Sequence, residues 1–401
     1  MKGSRVAVVV VLLSLAPLAG VAAVEPSADL QRMQVVSGTD TAEYLAPAHQ
    51  DVNRSGQPTA TIDVGGAVGS GVGEARVAHL RSSLERRYAA ADTDEERAEV
   101  VRNGTVRLSE RAENLSDEHD RTVAAYGDGE MEDAEFVRRI ALLHRQADAL
   151  LEAVEWLEVV AADHDLDPEV DRLQTDRVAL YELHGPVGAD LAAAAEGEGN
   201  VRVHVDSSGQ GLVLATMVQT DRGPEYVRQT TDPTAWTHVI EDRYDRDPGL
   251  AFDRIEELYP WVVEHAGSFS ASAPIGPAAT RVYPVELSHA HGDLEVYLDG
   301  GSGDVYREVQ VTDPELVPTG TQEATSGNLQ LVANTTHAGG PLGVTVVDMD
   351  TGEPVDAAVD VNGDHVGSTE GERLWTVAPR GDATVNATYQ GETVRLDLHF
   401  R

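Results

Sequence analysis

The sequence predicts a multidomain protein: an all-α, coiled-coil-like helical hairpin, then an α+β domain with an antiparallel sheet, then a small all-β sandwich. Three observations predict this order. Apolar residues recur with steps of four and three in the first half of the chain, which is the period of packed helices. After residue 200 the apolar period falls to two around a helical segment, as in α+β domains. After residue 328 short alternating segments and turns remain, as in a sandwich.

Residues 1–23 predict a signal peptide. Lys2 and Arg5 precede an uncharged stretch that extends from Val6 to Val24, and Ala22 and Ala23 are the small residues that a cleavage site requires. We expect cleavage near Ala23, although an apolar stretch of this length can also remain as an uncleaved membrane anchor. The predicted location is secreted or on the extracellular cell surface, with the membrane contacted only through a retained signal.

The composition indicates adaptation to concentrated salt. The chain has 30 basic and 69 acidic residues, a net charge of −39, and Lys2 is its only lysine. Self-repulsion destabilises so charged a compact state, and salt removes this repulsion because screening shortens to about 3 Å at 1 M. We expect diffuse binding of salt cations and no nucleic-acid partner, since phosphate binding needs a basic patch. Cys is absent, which excludes disulfides and thiol chemistry.

Residues 24–73 predict an extended leader with one strand near Ala60–Val64, because Gly, Ser, Thr and Pro are frequent there. Residues 74–197 predict the helical hairpin domain, with a reversal at Gly127-Asp128-Gly129. One arm carries a strong a/d seam and the other a weaker one, and both are expected in the core. The strong seam is Phe136, Ile140, Leu143, Ala147, Leu150, Val154, Leu157 and Ala161; the weaker one is Val101, Leu108, Ala112, Leu115, Thr122 and Tyr126.

Residues 198–312 predict the α+β domain, in which three strands, a helical pair and three further strands follow one another. The first helix of the pair is expected to begin at Asp232-Pro233 and to place Trp236, Ile240 and Tyr244 on one face. The expected strands are Val201–Val205, Leu212–Val218, Tyr226–Thr230, Arg281–Leu287, Leu294–Leu298 and Val305–Val311.

Residues 313–327 predict a linker, because they contain two prolines and many small polar residues. Residues 328–401 predict the β-sandwich. Within it, Asn362-Gly363 separates two alternating segments, which is a strong sequence signal for a hairpin with a two-residue turn.

The last segment resembles the carboxypeptidase-regulatory-like (transthyretin-like) sandwich. The residues that carry the resemblance are Thr351-Gly352-Glu353-Pro354-Val355, Asn362-Gly363, Thr369-Glu370-Gly371, Trp375 and Pro379-Arg380-Gly381. These motifs shape turns and hairpins. The resemblance therefore implies a sandwich fold and carries over no catalytic residue.

The mature chain is also similar to a haloarchaeal group of secreted or surface proteins of unknown function. The similarity rests on Tyr44-Leu45-Ala46-Pro47, Asp51-Val52-Asn53-Arg54-Ser55, Ala91-Asp92-Thr93-Asp94-Glu95-Glu96-Arg97 and Gly339-Gly340-Pro341-Leu342. It implies an exported location. It implies no activity.

The α+β region resembles PepSY-type domains in one strand–turn–strand segment. The matching residues are Leu294–Leu298 and Gly303-Asp304-Val305-Tyr306-Arg307-Glu308. An ordinary β-hairpin explains the same pattern, so both interpretations stay open.

The sequence predicts no catalytic residue, no cofactor and no cofactor-binding residue, and we expect a protein that is not an enzyme. It contains no G-x-S-x-G elbow, no H-E-x-x-H and no Walker A loop. Carboxylate pairs single out no site among 69 acidic residues. Tryptophans lie at apolar positions and are expected in the core, although a sugar-stacking role for Trp375 stays open.

Two segments could hold a metal ion, and neither is complete enough to predict a metal ligand. His289 and His291 form an H-x-H at a strand end, where two imidazoles could bind zinc or copper. Asp360, Asn362 and Asp364 match the first ligands of a calcium loop, but the Gly and Glu that this loop requires later are absent.

Five Asn-x-Ser/Thr sequons are candidate glycosylation sites in an exported chain. They begin at Asn53, Asn103, Asn114, Asn334 and Asn386.

The sequence as a whole favours a non-enzymatic exported protein with a protein or envelope partner, acting in cell-surface interaction or envelope architecture. Two alternatives stay open. The chain could be a regulatory or inhibitory module that binds an exported hydrolase. It could also be a carboxylate-dependent hydrolase, which would need two acids about 5–9.5 Å apart in a cleft.

Overall fold

The fold was analysed in a computed structural model that describes residues 32–38, 40–62, 64–237 and 241–400, without the side chains of residues 64–70, 72 and 278. The predicted signal peptide, residues 24–31 of the leader and Ile240 lie outside the described residues. The described residues belong to one compact unit, residues 31–401.

Five helices build the N-terminal part: α1 Val64–Ala90, α2 Asp94–Gly127, α3 Asp133–Asp163, α4 Asp167–Tyr181 and α5 Pro186–Glu196. The predicted antiparallel hairpin is confirmed as α2 and α3. Helix α2 begins with a capping box, in which Thr93 accepts from the Glu96 backbone and Glu96 accepts from the Thr93 backbone. No helix within the described ranges is long and apolar enough to cross a membrane.

The a/d seams predicted for the two arms are confirmed as the core of the helical part. Every residue of both seams is buried. Gly104 of α2 allows a close approach of three helices, because a Cβ there would lie 3.0 Å from Leu157 of α3 and 3.1 Å from Leu84 of α1. A third helix, α1, thus packs where the two arms meet.

The predicted boundary between leader and helix, at residue 73, differs from the structure. Helix α1 begins at Val64, in a glycine-rich segment whose low intrinsic helix propensity predicts irregular backbone. Farther along α1, Gly73 is buried, and a Cβ on it would lie 3.0 Å from Gln146 of α3.

The leader also forms strands that belong to the folded body. Strands β1 Gln34–Val36 and β2 Tyr44–Ala46 make a two-stranded hairpin. Strands β3 Arg54–Gly56 and β4 Thr59–Ala60 both pair with the strand Val201–Ser208 (β5) of the central sheet. The leader is therefore not an extended arm over these residues.

The central sheet is antiparallel and follows the predicted α+β pattern. Its strand order is β3-β5-β6-β7-β11-β10-β9-β8, with β4 paired to β5. Strand β8 is an exposed edge strand that the alternation pattern does not predict. The strands are β5 Val201–Ser208, β6 Gly211–Thr220, β7 Gly223–Thr231, β8 Ala266–Ala271, β9 Val282–His289, β10 Gly292–Asp299 and β11 Val305–Thr312.

Both faces of this sheet are covered at β6. Leu212 and Leu214 of β6 belong to a buried cluster with α2, α3 and α5. Val213, between them, belongs to a cluster on the opposite face with the leader hairpin and two short helices, α6 Pro248–Leu258 and α7 Pro260–Glu264. Side chains alternate between faces along a strand, so β6 contributes residues to both hydrophobic clusters.

The first helix of the predicted pair does not form within the described residues 232–237 and 241–247, where a 3₁₀ turn, Pro233–Ala235, follows Asp232. The second helix, predicted with one face from Phe252 to Val262, is present but is divided at Tyr259 into α6 and α7. The Asp232 carboxylate accepts from the Thr234 backbone, and Asp242 accepts from the backbone of Tyr244 and Arg246. Such side-chain to backbone bonds compete with helix formation.

The C-terminal part is a β-sandwich of two four-stranded sheets, ordered β12-β13-β14-β17 and β16-β15-β18-β19. Asn362-Gly363 makes the predicted two-residue turn, with φ of 54° and 93°. The predicted linker is partly wrong, because its second half is β12; this polar edge strand lacks apolar alternation and is held by pairing with β13. The strands are β12 Gly320–Ser326, β13 Leu329–Thr335, β14 Pro341–Asp348, β15 Ala358–Val361, β16 Asp364–Ser368, β17 Leu374–Val377, β18 Gly381–Tyr389 and β19 Glu392–Phe400.

Candidate functional site

The leader, the central sheet and the sandwich meet at a polar junction. Arg380, which precedes β18, donates two hydrogen bonds to Asp206 on β5, at 3.1 and 2.5 Å. Tyr226 on β7 donates to the Gly339 carbonyl at 2.8 Å. Gln57 in the leader donates to the carbonyl of Val377 at the end of β17 at 2.9 Å. Three hydrogen-bonding contacts thus fix the sandwich on the rest of the chain.

Asp206 is the electrostatic centre of this contact, and its side chain is 3% exposed. Burial alone would raise its pKa, but neighbouring His204 and the bonds from Arg380 hold the pKa well below its usual range. His204 Nε2 lies 3.1 Å from Asp206 Oδ1. Arg380 also contacts His49 of the leader at 3.0 Å, so one guanidinium joins three parts of the chain.

Gly339 allows the sandwich to lie close to His204 of β5. Its φ is +75°, a conformation that favours glycine. A Cβ at this position would lie 2.7 Å from the His204 ring. Any larger residue would push the sandwich away from β5.

A second buried network holds the leader hairpin on the sheet. Glu308 of β11 has a fully buried side chain and accepts from the Leu45 backbone at 2.7 Å and from the Tyr259 hydroxyl at 2.6 Å. Arg228 of β7 donates to it at 3.2 Å. Burial raises the pKa of Glu308, while Arg228 and these hydrogen bonds oppose the increase.

Tyr44 connects this network to the sandwich. The Arg228 guanidinium lies 5.0 Å from the Tyr44 ring centroid, within cation–π range. His337 of the sandwich stacks on the same ring at 4.2 Å, with 14° between the ring planes. The Tyr44 and His337 rings both line a cavity at the junction.

The cavity at this junction has a volume of about 610 Å³, within the range of small-molecule sites. Its walls come from the leader hairpin, β7 and β11, the turn after β9, the segment after β11, and the sandwich. No Asp, Glu, Arg or Lys among the described residues lines it. Its lining is Val36, Ser37, Gly38, Thr41, Ala42, Tyr44, Tyr226, His291, Gln310, Thr312, Val317, Pro318, Thr336, His337, Pro341 and His399.

Two histidines of the lining have buried nitrogen atoms without a hydrogen-bond partner among the described residues: His291 at Nδ1 and His337 at Nε2. His291 is 8% exposed. Burial, helped by His265, lowers the pKa of His291. Burial, helped by Arg228, lowers the pKa of His337 to about 3. Both rings are therefore uncharged at neutral pH.

The H-x-H of the sequence has no third metal-binding side chain beside it among the described residues. His289 and His291 have ring centroids 6.1 Å apart, and both rings contact Trp261. No group of three or more His, Asp or Glu side chains able to hold a metal ion occurs in the described ranges. His291 belongs instead to the junction cavity.

In the segment that resembles a calcium loop, Asp360, Asn362 and Asp364 contact other protein groups. Asn362 accepts from the Thr384 backbone at 2.9 Å, and Asp360 contacts His365 at 3.1 Å. Asp364 lies 3.8 Å from Arg202. The oxygen atoms that resemble calcium ligands in the sequence thus face other partners.

Trp375 is not an exposed stacking platform. It is 9% exposed, and its indole nitrogen donates to Glu315 at 2.9 Å. Arg373 lies over the ring at 5.4 Å. The sugar-stacking alternative for this residue has no support in the structure.

The five sequons lie in different secondary structures and differ in exposure. Asn103 and Asn114 lie within α2, and each donates to the carbonyl four residues earlier. Asn334 and Asn386 lie within β13 and β18 and are half-buried. Asn53 is exposed just before β3, and its backbone N–H donates to the Ser207 carbonyl of β5 at 2.8 Å.

Three family models match consecutive parts of the chain. Residues 1–200 match a Domain of unknown function (DUF7096), residues 203–318 a Family of unknown function (DUF7094), and residues 320–396 an Archaeal fibronectin-III type-like domain. No curated protein and no solved structure matches the chain.

These matches are consistent with an archaeal protein that ends in a β-sandwich. The family matched by the sandwich is fibronectin-III-like, whereas the sequence motifs resembled the carboxypeptidase-regulatory-like family. Turn and hairpin motifs identify a sandwich more readily than they identify its family.

Proposed function

We propose that this chain is a non-enzymatic exported protein that acts in cell-surface interaction or envelope architecture in concentrated salt. The observation that carries the proposal is the junction at which one guanidinium, that of Arg380, contacts the central sheet and the leader together. A protein that presents surfaces to its surroundings benefits from parts that do not move relative to one another.

The packing at the junction supports a fixed arrangement. Interfaces between domains of one chain generally permit relative motion unless they are large and apolar. Here an apolar contact between Val377 of the sandwich and Ala215 and Tyr226 of the sheet accompanies the buried ion pair. Displacing the sandwich would break the Arg380–Asp206 ion pair and expose this apolar contact to water.

The electrostatics support an extracellular role in brine. The net charge of −39 favours solubility and opposes close approach of other acidic surfaces at low salt. In concentrated salt this long-range repulsion is screened. Contacts with a partner then depend on short-range packing and hydrogen bonds, which a rigid body can provide.

Cell fractionation tests the proposal. The chain with a C-terminal affinity tag is expressed in a haloarchaeal host, and intact mass is measured in cytoplasm, membrane and medium. We expect the protein in the envelope or medium, shortened by about the length of the predicted signal peptide. A full-length protein confined to the cytoplasm would overturn the proposal. In the matched control, Leu12→Arg with Leu13→Arg interrupts the apolar stretch and should retain the protein inside.

A further inference from the structure

We propose that the β8 edge of the central sheet is a contact surface for a second copy of this chain, with β8 of each copy paired antiparallel about a two-fold axis. The inference names a partner for the proposed interaction role and therefore rests on it. Three features of β8 support it: backbone groups that point away from the sheet, the absence of charge, and a nearly symmetric sequence.

Strand β8 presents backbone hydrogen-bonding groups along its outer side. It ends the strand order of the central sheet, and none of the described strands pairs with that side. The N–H of Ser272, directly after β8, donates to the Pro284 carbonyl of β9 at 3.1 Å. Backbone groups of alternate residues point to opposite sides of a strand, so Phe269 and Ala271 direct their N–H and C=O groups away from β9. Such an edge is a template for another strand.

The edge carries no charge in a chain that is otherwise strongly acidic. Residues 266–280 contain no Asp, Glu, Lys or Arg, although these residues make up 25% of the chain. Charged side chains and proline commonly protect edge strands from pairing. Strand β8 has neither, and its only irregularity lies at its start, between Ala266 and Ser268. Because each copy has a net charge of −39, contact at an uncharged edge is favoured over contact between acidic surfaces.

The sequence of this edge suits pairing with itself. Residues 267–273 read G-S-F-S-A-S-A, which is nearly symmetric about Ser270, and Phe269 is their only large side chain. A two-fold axis at Ser270 places Phe269 opposite Ala271 of the second copy, in pairs that exchange N–H···O bonds. The small alanine leaves room for the ring. Since such a contact uses the same surface on both copies, association closes at two.

Exposed apolar side chains adjoin the edge. Phe269 is 62% exposed and Leu250 of α6 is 48% exposed. The Phe269 ring centroid lies 4.5 Å from that of Phe252, also in α6. A second β8 would cover part of this surface and gain from its burial. The paired strands are short and the interface is small, so we expect a dissociation constant on the order of 1–100 µM.

The opposite edge of the sheet is poorly suited to pairing. Strand β3 has three residues, and Arg54 in it donates to the Met131 carbonyl at 2.6 Å and to Asp133 at 2.6 Å, at the α2–α3 turn. A Cβ on Gly56 of β3 would lie 2.6 Å from the Tyr126 hydroxyl of α2. Pairing of β8 with β3 of the next copy would generate an open filament. The short, closely packed β3 disfavours it.

Sedimentation equilibrium of the purified full chain in concentrated KCl tests the inference, at protein concentrations from about 1 to 500 µM. We expect the average mass to rise from one copy towards two and no further. The mass of one copy at every concentration would overturn the inference and leave this edge to a different chain. Species larger than two copies would contradict the two-fold arrangement.

Variants locate the contact. Phe269→Glu places like charges close to the two-fold axis, and Ala271→Pro removes an outward N–H without removing a bond to β9. Each should weaken dimerisation at least about tenfold. The control Val159→Glu changes an equally exposed residue of α3 (63%) and should leave dimerisation unchanged. Near-ultraviolet circular dichroism verifies that each variant is folded, and undiminished dimerisation of either folded β8 variant would contradict the assignment.

Disulfide trapping tests the register. The chain has no Cys, so one introduced Cys can form a disulfide only between copies. In Ser270→Cys the two-fold axis brings the two Cα atoms to about 4.5 Å, within disulfide range. Oxidation with diamide should link this variant at least about tenfold faster than Ser326→Cys, on the exposed edge strand β12. Equal rates would contradict the register.

The two proposals can fail separately. Dimerisation is measured on purified protein, and location is measured by cell fractionation. A dimer confined to the cytoplasm would overturn only the proposed function, and an exported monomer would overturn only the inferred contact.

Discussion

Arg380 Nη2 lies 2.5 Å from Asp206 Oδ2, and these two side chains join the sandwich to the central sheet. Asp206 has a 3% exposed side chain and Arg380 a 16% exposed one. Since a buried carboxylate depends on its partner far more than a surface one does, we expect this pair to contribute strongly to the docking of the sandwich.

Replacement of Arg380 is expected to destabilise the whole chain. Arg380→Gln leaves the Asp206 charge buried, and we expect the free energy of unfolding to fall by about 3–5 kcal/mol. Denaturant titration in concentrated salt measures it. Asp206→Asn combined with Arg380→Gln should recover part of the loss, because the buried charge is then gone.

A surface pair in the same sandwich is the matched control. Arg395 and Asp397 have side chains that are 63% and 66% exposed, and Arg395→Gln should change stability far less than Arg380→Gln, because exposed ion pairs contribute little. Equal losses for Arg380→Gln and Arg395→Gln would show that the junction pair does not hold the sandwich.

The junction could not be predicted from the sequence, and strands β7 and β11 show why. Tyr226, Arg228, Glu308 and Gln310 alternate with valines along these strands, which is the usual pattern of one dry face and one solvated face. The polar face is in fact covered by the leader hairpin and the sandwich. A buried polar face and a solvent-exposed polar face have the same sequence pattern, and only tertiary contacts distinguish them.

The helical seams and the sandwich hairpins were predictable because their signals are local and repeated. The start of α1 and strand β12 were not. The start of α1 lies in a glycine-rich segment of low helix propensity, and β12 is held by pairing with β13. Where a partner distant in sequence supplies the stabilisation, propensity and periodicity carry little information.

Acidification should weaken the junction through His337. Its pKa is about 3 in the folded chain and about 6.5 when unfolded, so only the unfolded chain takes up the proton between these values. Stability therefore falls as pH decreases from 6.5 towards 3, by at most about 1.4 kcal/mol per pH unit from this group. His337→Phe keeps the stack on Tyr44 and should lose this component. Parallel pH profiles of the two proteins would contradict the prediction.

Glu182 should produce the opposite dependence. It is 7% exposed, and burial, with the nearby charges of Asp120 and Asp232, raises its pKa to about 8. The unfolded chain releases this proton from about pH 4.5 upward, so stability falls as pH rises from 4.5 to 8. Glu182→Gln should match the unchanged protein at pH 4.5 and exceed its stability at pH 8, by at most about 5 kcal/mol. A constant difference at both pH values would show that the carboxyl group is not held protonated.

Glycosylation, if the chain is exported, should favour Asn53. The side-chain amides of Asn103 and Asn114 already donate to helix carbonyls, and Asn334 and Asn386 lie in paired strands. Asn53 is exposed in irregular backbone, the setting expected of a modified sequon. Glycopeptide mass spectrometry of the native protein should find it the most occupied. Asn53→Gln should remove most of the glycan mass and Asn103→Gln should not; a helix sequon with the higher occupancy would contradict the structural argument.

Salt should determine whether the chain stays folded. The acidic excess of 39 charges lies over cores that are otherwise well packed, and at 0.01 M salt the screening length grows to about 30 Å, which lets these charges repel one another across the whole molecule. We therefore expect helical ellipticity to fall on dialysis from 3 M KCl into dilute buffer, and to recover when KCl is restored. Sucrose at matched osmolality is the control, because it favours burial without screening charge and should protect less. Helicity that does not change in dilute buffer would refute the interpretation of the charge as an adaptation to brine.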